Sequence, residues 1–166
     1  MAKRVAEFGT TVFGEINELA RRHKAVNLGQ GAPDFDGPPE VLGAAVRAVN
    51  GALNQYAPGI GMLSVREAIA RHAERFYGHQ LDPESEVLVT SGATEGMFAA
   101  ILGLTDPGDE VIVFEPVYDT YVPNLTIAGV TPRYVPLRGD HWSFDPDELA
   151  KSFNARTRAM IHQYAA

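Results

Sequence analysis

Apolar positions recur along the first ninety residues at a spacing of three and four, the signature of helices that bury one face. Val12, Phe13, Ile16, Leu19 and Ala20 predict a first helix over Thr11–His23. Pro38 and Pro39 suit a first helical turn, and Val41, Leu42, Ala45, Val46 and Val49 carry the pattern on until Asn50-Gly51 stops it. Ser64 with Glu67 has the form of a capping box, opening a helix whose Val65, Ile69, His72, Ala73 and Phe76 share one side and which ends near Gly78. Between these helices, Gly29-Gln-Gly-Ala-Pro-Asp34 and Asn54–Gly61 are too rich in glycine and proline for regular structure and predict loops.

From Glu86 the period changes. Short β-branched runs alternate with helical ones: strand Val87–Thr90, helix Ala93–Leu104, turn Asp106-Pro-Gly-Asp109, strand Glu110–Phe114, helix Thr120–Ala128, strand Arg133–Pro136, helix Pro146–Phe153 and a last strand from Arg158. Alternation of this kind predicts βαβ units, parallel strands and right-handed crossovers, with the loops at the strand C-termini forming the site face. Asp145, Asp147 and Glu148 read as acids at a helix N-terminus, where they complement the dipole. The fold expected is α/β, a three-layer, mostly parallel sheet with flanking helices and an N-terminal helical arm. Two parts are expected: an arm and small-domain segment over 1–50 and a partial ligand-binding domain over 51–166. A strand through Met160 and Ile161 would leave a sheet edge open, so the sheet reads as incomplete.

Composition excludes more than it assigns. The 166 residues carry 14 basic against 21 acidic side chains, a net charge of −7, and the basic ones are scattered, which argues against nucleic acid as a partner. With no cysteine there is no disulfide, thiolate metal site or cysteine nucleophile, and the five histidines show no close metal spacing. Neither a signal-peptide run nor a membrane span is apparent, and the expectation is a cytoplasmic protein with no membrane partner.

The stretch Glu86–Glu95 holds the candidate chemistry. An apolar run ends in Ser-Gly-Ala-Thr and passes straight into a helix. Gly92 lets the backbone come close to a ligand, and the N–H groups of the first helical turn point outward with the dipole behind them. Such a junction either holds a phosphate or is a plain tight turn, and the residues alone leave both open.

Five segments bring in a resemblance: Asn27-Leu-Gly-Gln-Gly-Ala-Pro-Asp-Phe-Asp36, Asn54-Gln-Tyr-Ala-Pro-Gly59, Ser91-Gly-Ala-Thr-Glu95, Asp106-Pro-Gly-Asp-Glu-Val111 and Glu115-Pro-Val-Tyr-Asp-Thr-Tyr121. In this order they resemble the signatures of the class I/II aminotransferases of pyridoxal-phosphate fold type I, nearest the kynurenine, methionine and succinyldiaminopimelate branch. The resemblance implies pyridoxal 5′-phosphate as cofactor, its phosphate on the amides of Gly92, Ala93 and Thr94 and its pyridine ring against Tyr118. It also implies that Tyr56 reaches the cofactor phosphate of a second subunit in a homodimer, and that Gly31 lies beside the substrate carboxylate. Left to themselves, Tyr118 reads equally as a core aromatic, Tyr56 as a surface tyrosine and Gly31 as a turn glycine of positive φ.

The same resemblance exposes what is missing. The family's Schiff-base lysine sits in a Ser-x-x-Lys loop, and Lys3, Lys24 and Lys151 match no such loop. Similarity also fades after Ile161. The expected function is therefore transfer of an amino group between an amino acid and a 2-oxo acid, with this chain an N-terminal portion, truncated before the lysine and inactive alone. The alternatives are a C–S β-lyase using the same cofactor and a noncatalytic fragment or dimerisation partner.

Overall fold

The computed structural model of the chain describes residues 2–31, 33–51 and 54–163, so Ala32 of the first predicted loop and the last three residues lie outside it. The chain divides into two compact units, residues 26–91 and, together, residues 1–25 and 92–166.

The second of these is organised around β1 (Glu110–Glu115), whose residues from Glu110 to Phe114 are all buried. It pairs in parallel with β2 (Thr131–Pro136) on one side and β3 (Thr157–Ile161) on the other, giving the order β2-β1-β3. Residue alternation along β1 splits its contacts between the two faces. Val111 and Val113 pack with Ile101, Leu125 and Val130, joined by Met97 and Val117, so the four-turn helix over Gly92–Leu104 and the helix over Tyr121–Ala128 share one face. Ile112 and Phe114 pack with Val135, Leu137 and Leu149, which places the helix over Pro146–Ser152 on the other.

Six α-helices are present among the described residues, α1 (Val12–His23), α2 (Pro39–Asn50), α3 (Leu63–Tyr77), α4 (Gly92–Leu104), α5 (Tyr121–Ala128) and α6 (Pro146–Ser152). The crossovers β1-α5-β2 and β2-α6-β3 move in opposite directions across the sheet with their helices on opposite faces, so both have one hand. This is the three-layer parallel α/β arrangement that the alternating pattern implies.

Local chemistry explains the ends of several elements. Thr11 caps α1 by accepting from the Gly14 amide at 3.2 Å, and Asp145 caps α6 through the Asp147 amide at 2.8 Å. Proline occupies the first turn of both α2 and α6, as the sequence pattern anticipates.

Three expectations are corrected. Val87–Thr90 forms no strand: Val89 N–H donates to Ile60 O at 3.2 Å, but among the described residues the segment joins no ladder, and extended chain without a neighbouring ladder is not a strand. The first βαβ unit is accordingly β1-α5-β2, and α4 precedes it. Ser64 caps nothing; α3 opens at Leu63 after Met62, whose carbonyl accepts the Val65 and Arg66 amides, and Ser64 is already inside the first turn. The face of α3 also differs, because Arg66 and Ala70 are buried while Val65, Ile69 and Phe76 are exposed. Arg66 is the cause. Its guanidinium donates to the carbonyls of Gly61, Pro83 and Glu84, and so turns that side of α3 toward the chain leaving the helix.

Candidate active site

Gly92 begins α4 with φ +79°, a conformation that favours glycine, and a Cβ built there meets nothing within 4 Å. Gly92, Ala93 and Thr94 are all exposed, so the first turn of α4 presents its surface to solvent. An α-helix has no intrahelical acceptors for its first amides, and these stand at the positive end of the dipole. The far end of α4 is fixed to the opposite edge of the sheet, where Arg158 near the start of β3 donates to the Leu104 carbonyl at 3.4 Å. Since α4 packs along the sheet through Met97 and Ile101, its N-terminus faces the edge where the parallel strands end. That is where open α/β sheets take ligands.

Tyr118 lies at the same edge, three residues past the end of β1 and beyond a cis Glu115–Pro116 peptide. Its side chain is 42% exposed. Phe13 of α1 approaches its ring at 6.3 Å and Tyr121 meets it edge-on at 5.6 Å. Two polar atoms close by in sequence are buried with no hydrogen-bond partner, Asp119 Oδ1 and Asn124 Nδ2. The sequence reading singled out neither of them, nor Tyr121, because each draws its interest from packing.

Gly31 and Tyr56 belong to the other unit. A Cβ at Gly31 would meet nothing within 4 Å, and Gly31 is not among the positive-φ glycines, so the turn-glycine reading does not hold. Tyr56 is fully exposed within an irregular loop. The structure thus brings Gly92, Ala93 and Thr94 to the same sheet edge as Tyr118 and holds Gly31 and Tyr56 on separate loops of the first unit. A groove of about 530 Å³ in that unit, lined by Glu67, Arg71, Glu74 and Asp82 among others, includes none of these residues. Among the described residues no cluster of His, Cys, Asp or Glu is placed to hold a metal ion, and no helix is long and apolar enough to cross a membrane.

The unit is a doubly wound α/β fold in which an exposed, glycine-opened helix N-terminus and an exposed aromatic both lie at the strand C-termini, the edge where open α/β sheets take ligands. Comparison with known proteins narrows this. The profile of the family described as aminotransferase class I and II matches residues 23–165, and the chain belongs to that family. It is 51% identical over 160 residues to a probable N-succinyldiaminopimelate aminotransferase of Mycobacterium tuberculosis, covering 95% of this chain and 40% of that protein. With the methionine aminotransferase of Escherichia coli the identity is 43%, covering 95% and 41%. The solved structure of the M. tuberculosis N-succinyldiaminopimelate aminotransferase superposes with a TM-score of 0.90 at 49% identity, over 96% of this chain and 42% of that one. The chain spans about two-fifths of the length of these relatives.

Proposed function

We propose that the complete protein transfers an amino group between an amino acid and a 2-oxo acid with pyridoxal 5′-phosphate, and that this chain supplies the phosphate seat and the ring platform. The observation that carries the reading is the exposed opening of α4 at Gly92, with open space above its Cα, at the sheet edge that Tyr118 also occupies. A phosphate needs several convergent N–H donors and positive potential, and the amides of Gly92, Ala93 and Thr94 offer both. A pyridine ring needs a flat, rigid partner, and Tyr118 is a solvent-facing aromatic held by two others. The residues present fit the group.

When bound, pyridoxal phosphate supplies an electron sink for charge developing on the substrate. The chain's own residues orient it: the α4 amides fix one end and Tyr118 excludes water from one face of the ring. Gly31, whose Cα faces open space, leaves room for the substrate carboxylate, and the exposed Tyr56 hydroxyl reaches the phosphate held by a second subunit. Residues 1–50 then act as arm and small-domain segment and 51–166 as part of the cofactor-binding domain, in a cytoplasmic homodimer.

Neither Lys3, Lys24 nor Lys151 suits the reacting amine. Lys3 sits in a 3-10 turn, Lys24 closes α1 in a left-handed conformation and Lys151 lies in α6. The 166-residue chain is therefore inactive by itself. Incubation with pyridoxal phosphate, borohydride reduction and intact-mass measurement tests this together with an assay of amino transfer to 2-oxoglutarate. Reversible cofactor binding without a reduced adduct or turnover is expected; a stable adduct with turnover overturns the inactivity, and no binding at all overturns the seat.

A further inference from the structure

Tyr118 can serve as a ring platform only if its plane is fixed, yet it is 42% exposed, and among the described residues no hydrogen bond from its own hydroxyl orients it. Its neighbours must do so. Tyr121 stands three residues on, tied by the turn in which the Tyr121 amide donates to the Tyr118 carbonyl at 3.1 Å. The two rings meet edge to face, centroids 5.6 Å apart and planes at 64°. Edge-on contact is directional, because the positive ring edge seeks the negative face. The Tyr121 ring is fixed in turn from a distant part of the chain, its hydroxyl donating to Gln163 Oε1 at 3.0 Å across 42 residues of sequence. Gln163 follows β3 by two residues, so this bond connects the start of α5, just past the loop after β1, to the end of the neighbouring parallel strand. A phenylalanine would satisfy the packing at 121 equally well; only the hydroxyl makes this link.

We propose that Tyr121 is a positioning residue that sets the plane of the Tyr118 ring, and that its bond to Gln163 makes the start of α5 and the end of β3 act as one support. The proposal rests on the reading of Tyr118 as the ring platform. It separates from that reading experimentally, since the orientation of Tyr118 can be followed without any ligand.

The test uses the 166-residue chain with ring-labelled tyrosine and the variants Tyr121→Phe, Gln163→Leu, their combination and Tyr118→Leu. In NMR spectra without ligand, the Tyr118 ring signals should move toward their motionally averaged positions in both single variants. Titration with pyridoxine 5′-phosphate, which has no carbonyl to react, should show affinity reduced about three- to tenfold in each, with the double variant no weaker than either, as expected when one hydrogen bond is removed from either end. Circular dichroism and thermal midpoints confirm that each variant folds. Unchanged Tyr118 signals in Tyr121→Phe overturn the proposal, as do losses that add in the double variant. If Tyr118→Leu binds as well as the unaltered chain, the platform reading fails, and the ring signals still decide the role of Tyr121.

Discussion

Asn154 donates its side-chain amide to the Glu110 carboxylate at 2.7 Å, joining the loop ahead of β3 to the first residue of β1. The same carboxylate, whose side chain is only 3% exposed, pairs with Arg133 of β2 at 3.4 Å and with Arg156 beside β3. One buried acid therefore gathers all three strands at their N-terminal ends, opposite the site edge. The Glu110 amide adds a backbone bond to the Arg156 carbonyl at 2.8 Å.

The amide of Asn154 foremost, then the charges of Arg156 and Arg133, holds the Glu110 carboxyl below the usual glutamate range. A carboxylate with a depressed folded-state pKa contributes stability that is present above its unfolded value of 4.5 and is lost as pH falls through the folded one. The unfolding midpoint should be flat near neutrality and decline below about pH 4.5. Glu110→Gln should be less stable at pH 7 and show a shallower acid decline, as read by urea titration across pH 3–7. An identical pH profile for the two proteins would remove Glu110 from this role.

Leu125 is fully buried in the cluster between α4, α5 and β1. Leu125→Ala should cost about 2–5 kcal/mol, the usual range for a cavity left by a buried leucine. Urea midpoints measure it. Since this helix also carries Tyr121, the loss should extend to ligand binding.

Gly61 precedes α3 with φ +92°, and a Cβ there would lie 2.6 Å from the Val89 side chain. Gly61→Ala therefore meets a backbone penalty and a collision together, and should lower stability by about 1–3 kcal/mol. Proteolysis within residues 54–91 should accelerate in the same variant, since the Gly61 carbonyl also accepts from buried Arg66.

Gly92→Ala separates folding from binding. Its methyl would enter open space and strain only the φ of +79°, a cost of about 1 kcal/mol, while occupying the region assigned to the phosphate. Phosphate-ester affinity should fall about tenfold or more, comparable to loss of one charge-assisted hydrogen bond. Calorimetric titration with pyridoxal phosphate gives the answer, and unaltered affinity would remove the anion from this turn.

Much of the architecture could be read from residue order because its causes are local. The spacing of Val12, Phe13, Ile16 and Leu19, the Asp145-Pro146 start of α6, and the unbroken apolar run of β1 each act within a few residues of themselves. Gly92 was legible for the same reason, since a glycine between an apolar run and a helix restricts the backbone directly.

Other features depended on partners far along the chain. Val87–Thr90 has the composition of a strand, and only the absence of a neighbouring ladder among the described residues decided otherwise. Ser64 and Glu67 have the spacing of a capping box, yet Arg66 reaching the carbonyls of Pro83 and Glu84 set which side of α3 turns inward. The gathering of Glu110 with Arg133, Asn154 and Arg156, and the bond from Tyr121 to Gln163, join residues separated by 23 to 46 positions. The sequence by itself determined where most helices and the three paired strands lie and that a glycine opens α4, because propensity, capping and periodicity are short-range. Tertiary structure alone decided which faces are buried, which polar groups meet and how the Tyr118 ring is held, because burial and hydrogen bonding are settled by whichever segments the fold brings together.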